Sequence, residues 1–84
     1  MEYELISKYD TRKTFYSKAR VREENGRLTL ISYTTEVCYI ENGKAIINGT
    51  YSDTTTRHIK EFLKQNGFKV ENTKQIIKDY GENN

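Results

Sequence analysis

Two hydrophobic periods divide the chain. Up to Tyr51 apolar and polar positions largely alternate, the period of two expected of strands with one buried face. After it, Ile59, Phe62 and Leu63, and then Ile76, Ile77 and Tyr80, fall at three- and four-residue steps, which is helical spacing. The change of period lies within Tyr51–Leu63. Ser52, Asp53 and Thr54 there are all suited to capping a helix, since their side-chain oxygens accept from the first free backbone N–H groups. Asn66-Gly67 supplies the left-handed residue that closes such a helix. Phe68 and Val70 follow as an extended link or a hydrophobic latch onto the sheet. Thr73 is expected to cap a second, short helix running to Tyr80. Gly81 ends it, and Gly81 to Asn84 is expected to form a frayed tail.

The strand half is organised by two Asn-Gly pairs, each suited to a type I′ hairpin because both central residues need positive φ. Around Asn25-Gly26 the strands Thr14–Glu23 and Arg27–Tyr33 should pair Glu24 with Arg27, Arg22 with Thr29, Val21 with Leu30 and Arg20 with Ile31. Ala19, Val21, Leu28 and Leu30 then form the core face, and Arg20, Arg22, Thr29 and Ile31 a solvated, basic face. Around Asn42-Gly43, Ile40 should oppose Ala45 and Cys38 should oppose Ile47. Alternation fails between the hairpins, because keeping Leu28 to Ile40 in phase would turn Glu36 inward. A tight turn near Thr34-Thr35 or a bulge resolves the conflict equally well. Tyr3 and Leu5 suggest a short edge strand, Tyr9–Lys13 a polar connection, and Gly49 a bend near the end of the sheet. The expected architecture is a single α+β domain over residues 1–84. An antiparallel sheet of three to five strands spans about 2–51, with a helix packed across one face over about 54–65 and a short helix over about 73–80.

Composition sharpens this picture in three ways. The chain has 84 residues, 35% hydrophobic, with seven Tyr, three Phe and no Trp, so its core is small and partly aromatic. A homodimer or larger partner that adds burial would suit it. The net charge of +2 dictates no partner, yet Lys8 to Arg22 carries six cations against the single carboxylate of Asp10. The ordinary reading of such a run is a solvated face. Cys38 is the only cysteine, which excludes an internal disulfide and suits a reducing cytoplasm. No stretch resembles a signal peptide or a membrane span.

Chemistry finds little to work with. One His, one Cys and no compact pair of acids give no basis for catalysis, and no metal-ligand spacing or phosphate-cradling glycine loop is present. The expectation is a protein without enzymatic activity, cofactor or metal. His58 lies at the border of the helix's apolar stripe, where a half-buried ring bonded to a backbone carbonyl or a tyrosine hydroxyl is the ordinary role. The helix start, with Thr54–Thr56 beside Arg57 and His58, is suited to holding an anion. Capping by Ser52 or Asp53 would consume its donors, which leaves Arg57 and His58 without a structural reason for being there. The basic hairpin face is the other candidate: Arg20, Arg22 and Arg27, with Lys18, Arg12 and Lys13 nearby. Such a face can enter the DNA major groove. Tyr33 and Tyr39 are equally suited to anchoring a protein partner.

Three blocks of residues also carry a resemblance: Tyr9 to Ala19, Leu30 to Val37, and Tyr51 to Thr55 followed by Arg57-His58-Ile59-Lys60-Glu61-Phe62-Leu63 and Gln65. Together they resemble a family of small proteins of unknown function encoded by phages, plasmids and other mobile elements of Gram-positive and gut bacteria. The resemblance covers roughly Tyr9 to Gly67. It implies a bacterial cytoplasm and an accessory role, and no activity carries over from it. The expected function is binding of a macromolecular partner, a host-defence component of the kind that anti-CRISPR proteins inhibit. A sheet-type DNA-binding module is the alternative. The residues expected to bind are Arg12, Lys13, Arg20, Arg22, Arg27, Tyr33, Arg57 and His58, with a protein the leading partner, nucleic acid the second, and no membrane.

Overall fold

A computed structural model describes residues 1–82. It is an α+β fold, with a five-stranded antiparallel sheet in the order β1(Glu2–Glu4), β2(Ala19–Glu24), β3(Arg27–Ser32), β4(Thr35–Glu41) and β5(Lys44–Ile47). Two helices follow, α1(Asp53–Gln65) and α2(Thr73–Tyr80). Each strand neighbours the next in sequence, so the sheet is a meander.

Two of its turns are the Asn-Gly pairs. Asn25 and Gly26 lie at φ 53° and 81°, and Asn42 and Gly43 at 54° and 74°. Glu24 is paired with Arg27 and Glu41 with Lys44 on either side of them. These registers align Val21, Leu30, Cys38 and Ile47 in one row across four strands, all almost fully buried. Ile59, Phe62 and Leu63 from α1 and Ile76 from α2 join that row in a single core cluster.

The break in alternation after Leu30 is resolved by a turn and a bulge together. Ser32 pairs with Thr35 around Tyr33-Thr34, and the register shifts between Leu30/Ile31, leaving Val37 unpaired between Glu36 and Cys38. Val37 and Cys38 are therefore buried in succession, and Glu36 is turned outward.

Several boundaries differ from expectation. The strand expected from Thr14 begins at Ala19, because Tyr16 and Ser17 take φ 53° and 60° and reverse the chain, with the Lys18 N–H donating to the Phe15 carbonyl at 2.9 Å. The hairpin's outer face is not simply solvated: Thr29 and Ile31 are each 5% exposed. Their register neighbours Arg20, Arg22, Glu36 and Tyr39 are long enough to shield them with their stems. Ser52 caps α1 as expected, but Asn72 rather than Thr73 caps α2. Gly67 at φ +82° closes α1, with Phe68 N–H bonded to the Leu63 carbonyl and Gly67 N–H to that of Lys64. Gly81 is not frayed, since it forms a parallel bridge with Ile47. The remainder of the expected tail, Asn83 and Asn84, lies outside the described residues.

Candidate functional site

The segment between β1 and β2 is tied to α1 by the buried carboxylate of Glu61. Glu61 is 2% exposed and accepts from the backbone N–H groups of Lys8, Tyr9 and Asp10 at 3.0, 2.9 and 2.9 Å. The Gln65 amide donates to the same carboxylate at 2.6 Å and to the Ile6 carbonyl. One turn earlier on α1, Arg57 pairs with Asp10 at 3.3 Å and donates to the Thr11 hydroxyl at 3.2 Å. A charge buried in this way is tolerated only because its lone pairs are filled.

Glu61 was not among the expected site residues. It directly precedes Phe62 on the helix, where a glutamate ordinarily faces water, and three of its partners are backbone groups more than 50 residues away. The one available sign is that residues 8–13 are polar and need an anchor from outside their own side chains.

Held in this way, the segment forms one wall of a cleft of about 310 Å³, lined by Arg12, Thr14, Phe15, Tyr16, Lys18, Tyr33, Thr54 and His58. His58 contributes to its floor. The ring is 2% exposed, bonds through Nδ1 to the Ser32 hydroxyl at 2.8 Å, and meets the Phe15 ring edge-on at 4.7 Å between centroids. Ser32 in turn bonds Thr55 at 2.9 Å. The expected half-buried His with a carbonyl or tyrosine partner is thus corrected to a fully buried one on a serine. Burial lowers its pKa below the ordinary histidine value, with Asp10 pulling weakly the other way. The ring is therefore neutral near pH 7.

The walls of the cleft are two strained turns. Tyr16 and Tyr33 lie at φ 53° and 59° and are 73% and 48% exposed. The Tyr33 N–H donates to the Lys18 carbonyl at 2.7 Å, so the two turns are bonded side by side. Elsewhere the chain puts Asn or Gly at left-handed φ, where a side chain costs little. Two tyrosines and a serine take that conformation beside this cleft. Arg12 also lines an adjoining polar groove of about 430 Å³ with Asp53, Thr54, Thr56, Arg57, Lys60 and Thr73.

The other expected cations are accounted for differently. Arg20 pairs with Glu2, Arg22 with Glu36, and Arg27 with Glu41 at 2.9 Å while lying 4.1 Å from the Tyr39 ring centroid. Glu2 comes from β1 and Glu36 is turned outward by the bulge, neither of which the hairpin alone reveals. The outer face of the first hairpin is therefore a lattice of ion pairs and not the basic face expected. Arg57 is likewise paired. Arg12, Tyr33 and His58 converge on the cleft, and Lys13 is exposed in the segment beside it.

Cys38 is fully buried in the core row, and burial pushes its thiol up to about 12, which leaves it neutral and a poor nucleophile. It is not among the residues lining the cleft with His58. Among the described residues no group of His, Cys, Asp and Glu is arranged to hold a metal ion, and no helix is long and apolar enough to cross a membrane.

The chain belongs to a family of unknown function, DUF8033, whose pattern matches residues 1–79. No curated protein and no solved structure matches it.

Proposed function

We propose, for this member of a family without an assigned activity, a non-catalytic mobile-element accessory protein that acts by binding a macromolecular partner. The target class, by analogy with small stand-alone phage domains, is a protein component of a bacterial host-defence system, bound in the cytoplasm. In this reading α1 lies across the core face of the sheet as the frame. The cleft at its N-terminal end is the binding surface. What carries the reading is one observation: Tyr16 and Tyr33 are held exposed at left-handed φ on adjacent, hydrogen-bonded turns. Strain of this kind lowers stability and persists where exposed groups are needed in a set position. Tyrosine beside arginine is also the composition of interface hot spots.

The test is an affinity pull-down of the tagged protein from host lysate, with nuclease treatment. A protein recovered by the wild type and lost on Tyr16→Ala with Tyr33→Ala supports the reading. A protein retained equally by that double variant would remove the cleft from the interface. The DNA-reading alternative drew on free cations at Arg20, Arg22 and Arg27, and their pairing with Glu2, Glu36 and Glu41 withdraws that support. A mobility-shift titration with steep salt dependence would restore it.

A further inference from the structure

Resting on that reading, we infer that the cleft recognises an acidic protein segment, one that sets a carboxylate between Arg12 and Lys18 and an apolar side chain against Phe15, Tyr16 and Tyr33. Among the described residues, Arg20, Arg22, Arg27 and Arg57 each sit in an ion pair, and Arg12 alone of the five arginines does not. Lys18 has no carboxylate partner among the described residues either. Both are exposed and both line the cleft. The chain neutralises four of its arginines internally and leaves the fifth unpaired over an aromatic floor, beside the equally unpaired Lys18. An arginine fork matches a carboxylate in two parallel hydrogen bonds.

The floor adds the second half of the specificity. Phe15 is 4% exposed and His58 2%, so they present a rigid base rather than mobile side chains. Because the His58 ring is neutral near pH 7, it contributes a surface and not a charge. A cleft of about 310 Å³ has room for one or two side chains, which fits a short segment better than a flat domain face. The neighbouring acids argue against a nucleic-acid strand. Asp53 lines the adjoining groove, and Glu4 accepts from the Ser17 N–H at 3.2 Å beside the Tyr16 turn. A phosphate track running either way from Arg12 would meet one of these carboxylates. A peptide with a single acidic side chain need not.

The test uses amide shift mapping of the full chain with three probes: a synthetic peptide of alternating glutamate and phenylalanine, its lysine counterpart, and an oligothymidylate strand. The expected result is that the acidic peptide alone shifts the amides of residues 12–18 and 33–34. Its binding should weaken roughly tenfold or more at high salt, and as much on Arg12→Glu with Lys18→Glu, but not on Lys44→Glu. Shifts confined to other residues, or no shifts with any probe, would overturn the inference. So would oligothymidylate occupying the same amides more tightly, which would make the cleft a nucleic-acid site. The broader reading is decided separately. A lysate partner lost with the tyrosines but indifferent to Arg12→Glu and Lys18→Glu would keep the interface and discard its acidic chemistry.

Discussion

Glu61 on α1 accepts the backbone N–H of Tyr9 at 2.9 Å, at the centre of three consecutive main-chain donors from the segment between β1 and β2. Those donors are pinned by a side chain instead of by a strand partner. The wall of the cleft that carries Arg12, Tyr16 and Lys18 is thus positioned from 50 residues away.

Glu61→Gln keeps the shape but removes the charge, and it places an amide N–H₂ where some of these donors point. Charge-assisted hydrogen bonds are individually worth about 1.5–3 kcal/mol. A net loss of about 2 kcal/mol is expected, or on the order of 10 °C in melting temperature for a domain of this size. Hydrogen exchange supplies the specific readout. The amides of Lys8, Tyr9 and Asp10 should exchange far faster in the variant, while those of β3 change only by the global amount. Unchanged protection at these three amides would mean that the segment holds its position without Glu61.

Stability should also fall below neutral pH through His58. Its folded pKa is lowered by burial, so between that value and the ordinary one of about 6.5 the unfolded chain binds more protons than the folded one. The stabilisation present above about 6.5 is therefore lost progressively as pH drops through this window, and the loss levels off beneath the lowered value. Melting curves from pH 7.5 down to 5 should show the decline, and His58→Gln should flatten it whatever its effect at neutral pH. An equal slope in both proteins would assign the dependence to the carboxylates instead.

At Tyr33 stability and binding should part company. Asn is comfortable at φ 59° where Tyr is not, and relief of left-handed strain is worth about 1 kcal/mol. Tyr33→Asn is expected to raise the melting temperature by several degrees and to weaken partner capture. Ser17→Gly, on the neighbouring turn at φ 60°, should raise it without weakening capture. A destabilised Tyr33→Asn would show that the ring's packing beside His58, 6.1 Å between centroids, outweighs the backbone strain.

The same residues explain which parts of the molecule could be read from the chain. Asn25-Gly26 and Asn42-Gly43 are chemically committed to a two-residue reversal, and the strand register around each follows from the reversal itself. Tyr16-Ser17 makes its reversal with residues that oppose it and left no local signal, whereas the turn at Tyr33-Thr34 showed only as a break in alternation that a bulge explained equally well. The basic face was misjudged for a related reason. Arg20 and Arg22 look free beside their own hairpin, and their partners Glu2 and Glu36 reach them only through β1 pairing and a bulge whose position the broken alternation does not fix. Arg57 and Glu61 face a segment without regular structure, where no periodicity can announce a contact. Local chemistry was legible, and contacts made across sequence distance were not.

Gly81 provides the sharpest steric test. Its φ is −63°, so backbone strain plays no part in the choice of residue. Its surroundings do: a Cβ added there would lie 2.4 Å from the Ile77 carbonyl oxygen, a distance that real contacts do not reach. That oxygen belongs to α2 and already accepts the Gly81 N–H at 2.9 Å, so it cannot swing aside as a flexible side chain would. Gly81→Ala must therefore shift either the last turn of α2 or residue 81 itself, and the second course breaks the parallel bridge to Ile47 at the edge of β5. Overpacking of this kind costs about 1–3 kcal/mol. The expected outcome is a lowered melting temperature with faster exchange at residue 81, whereas Glu82→Ala, one residue further along and exposed, leaves both unchanged. If Gly81→Ala melts with the wild type, α2 is not seated on β5 through this glycine, and the packing of Ile76, Ile77 and Tyr80 holds the helix.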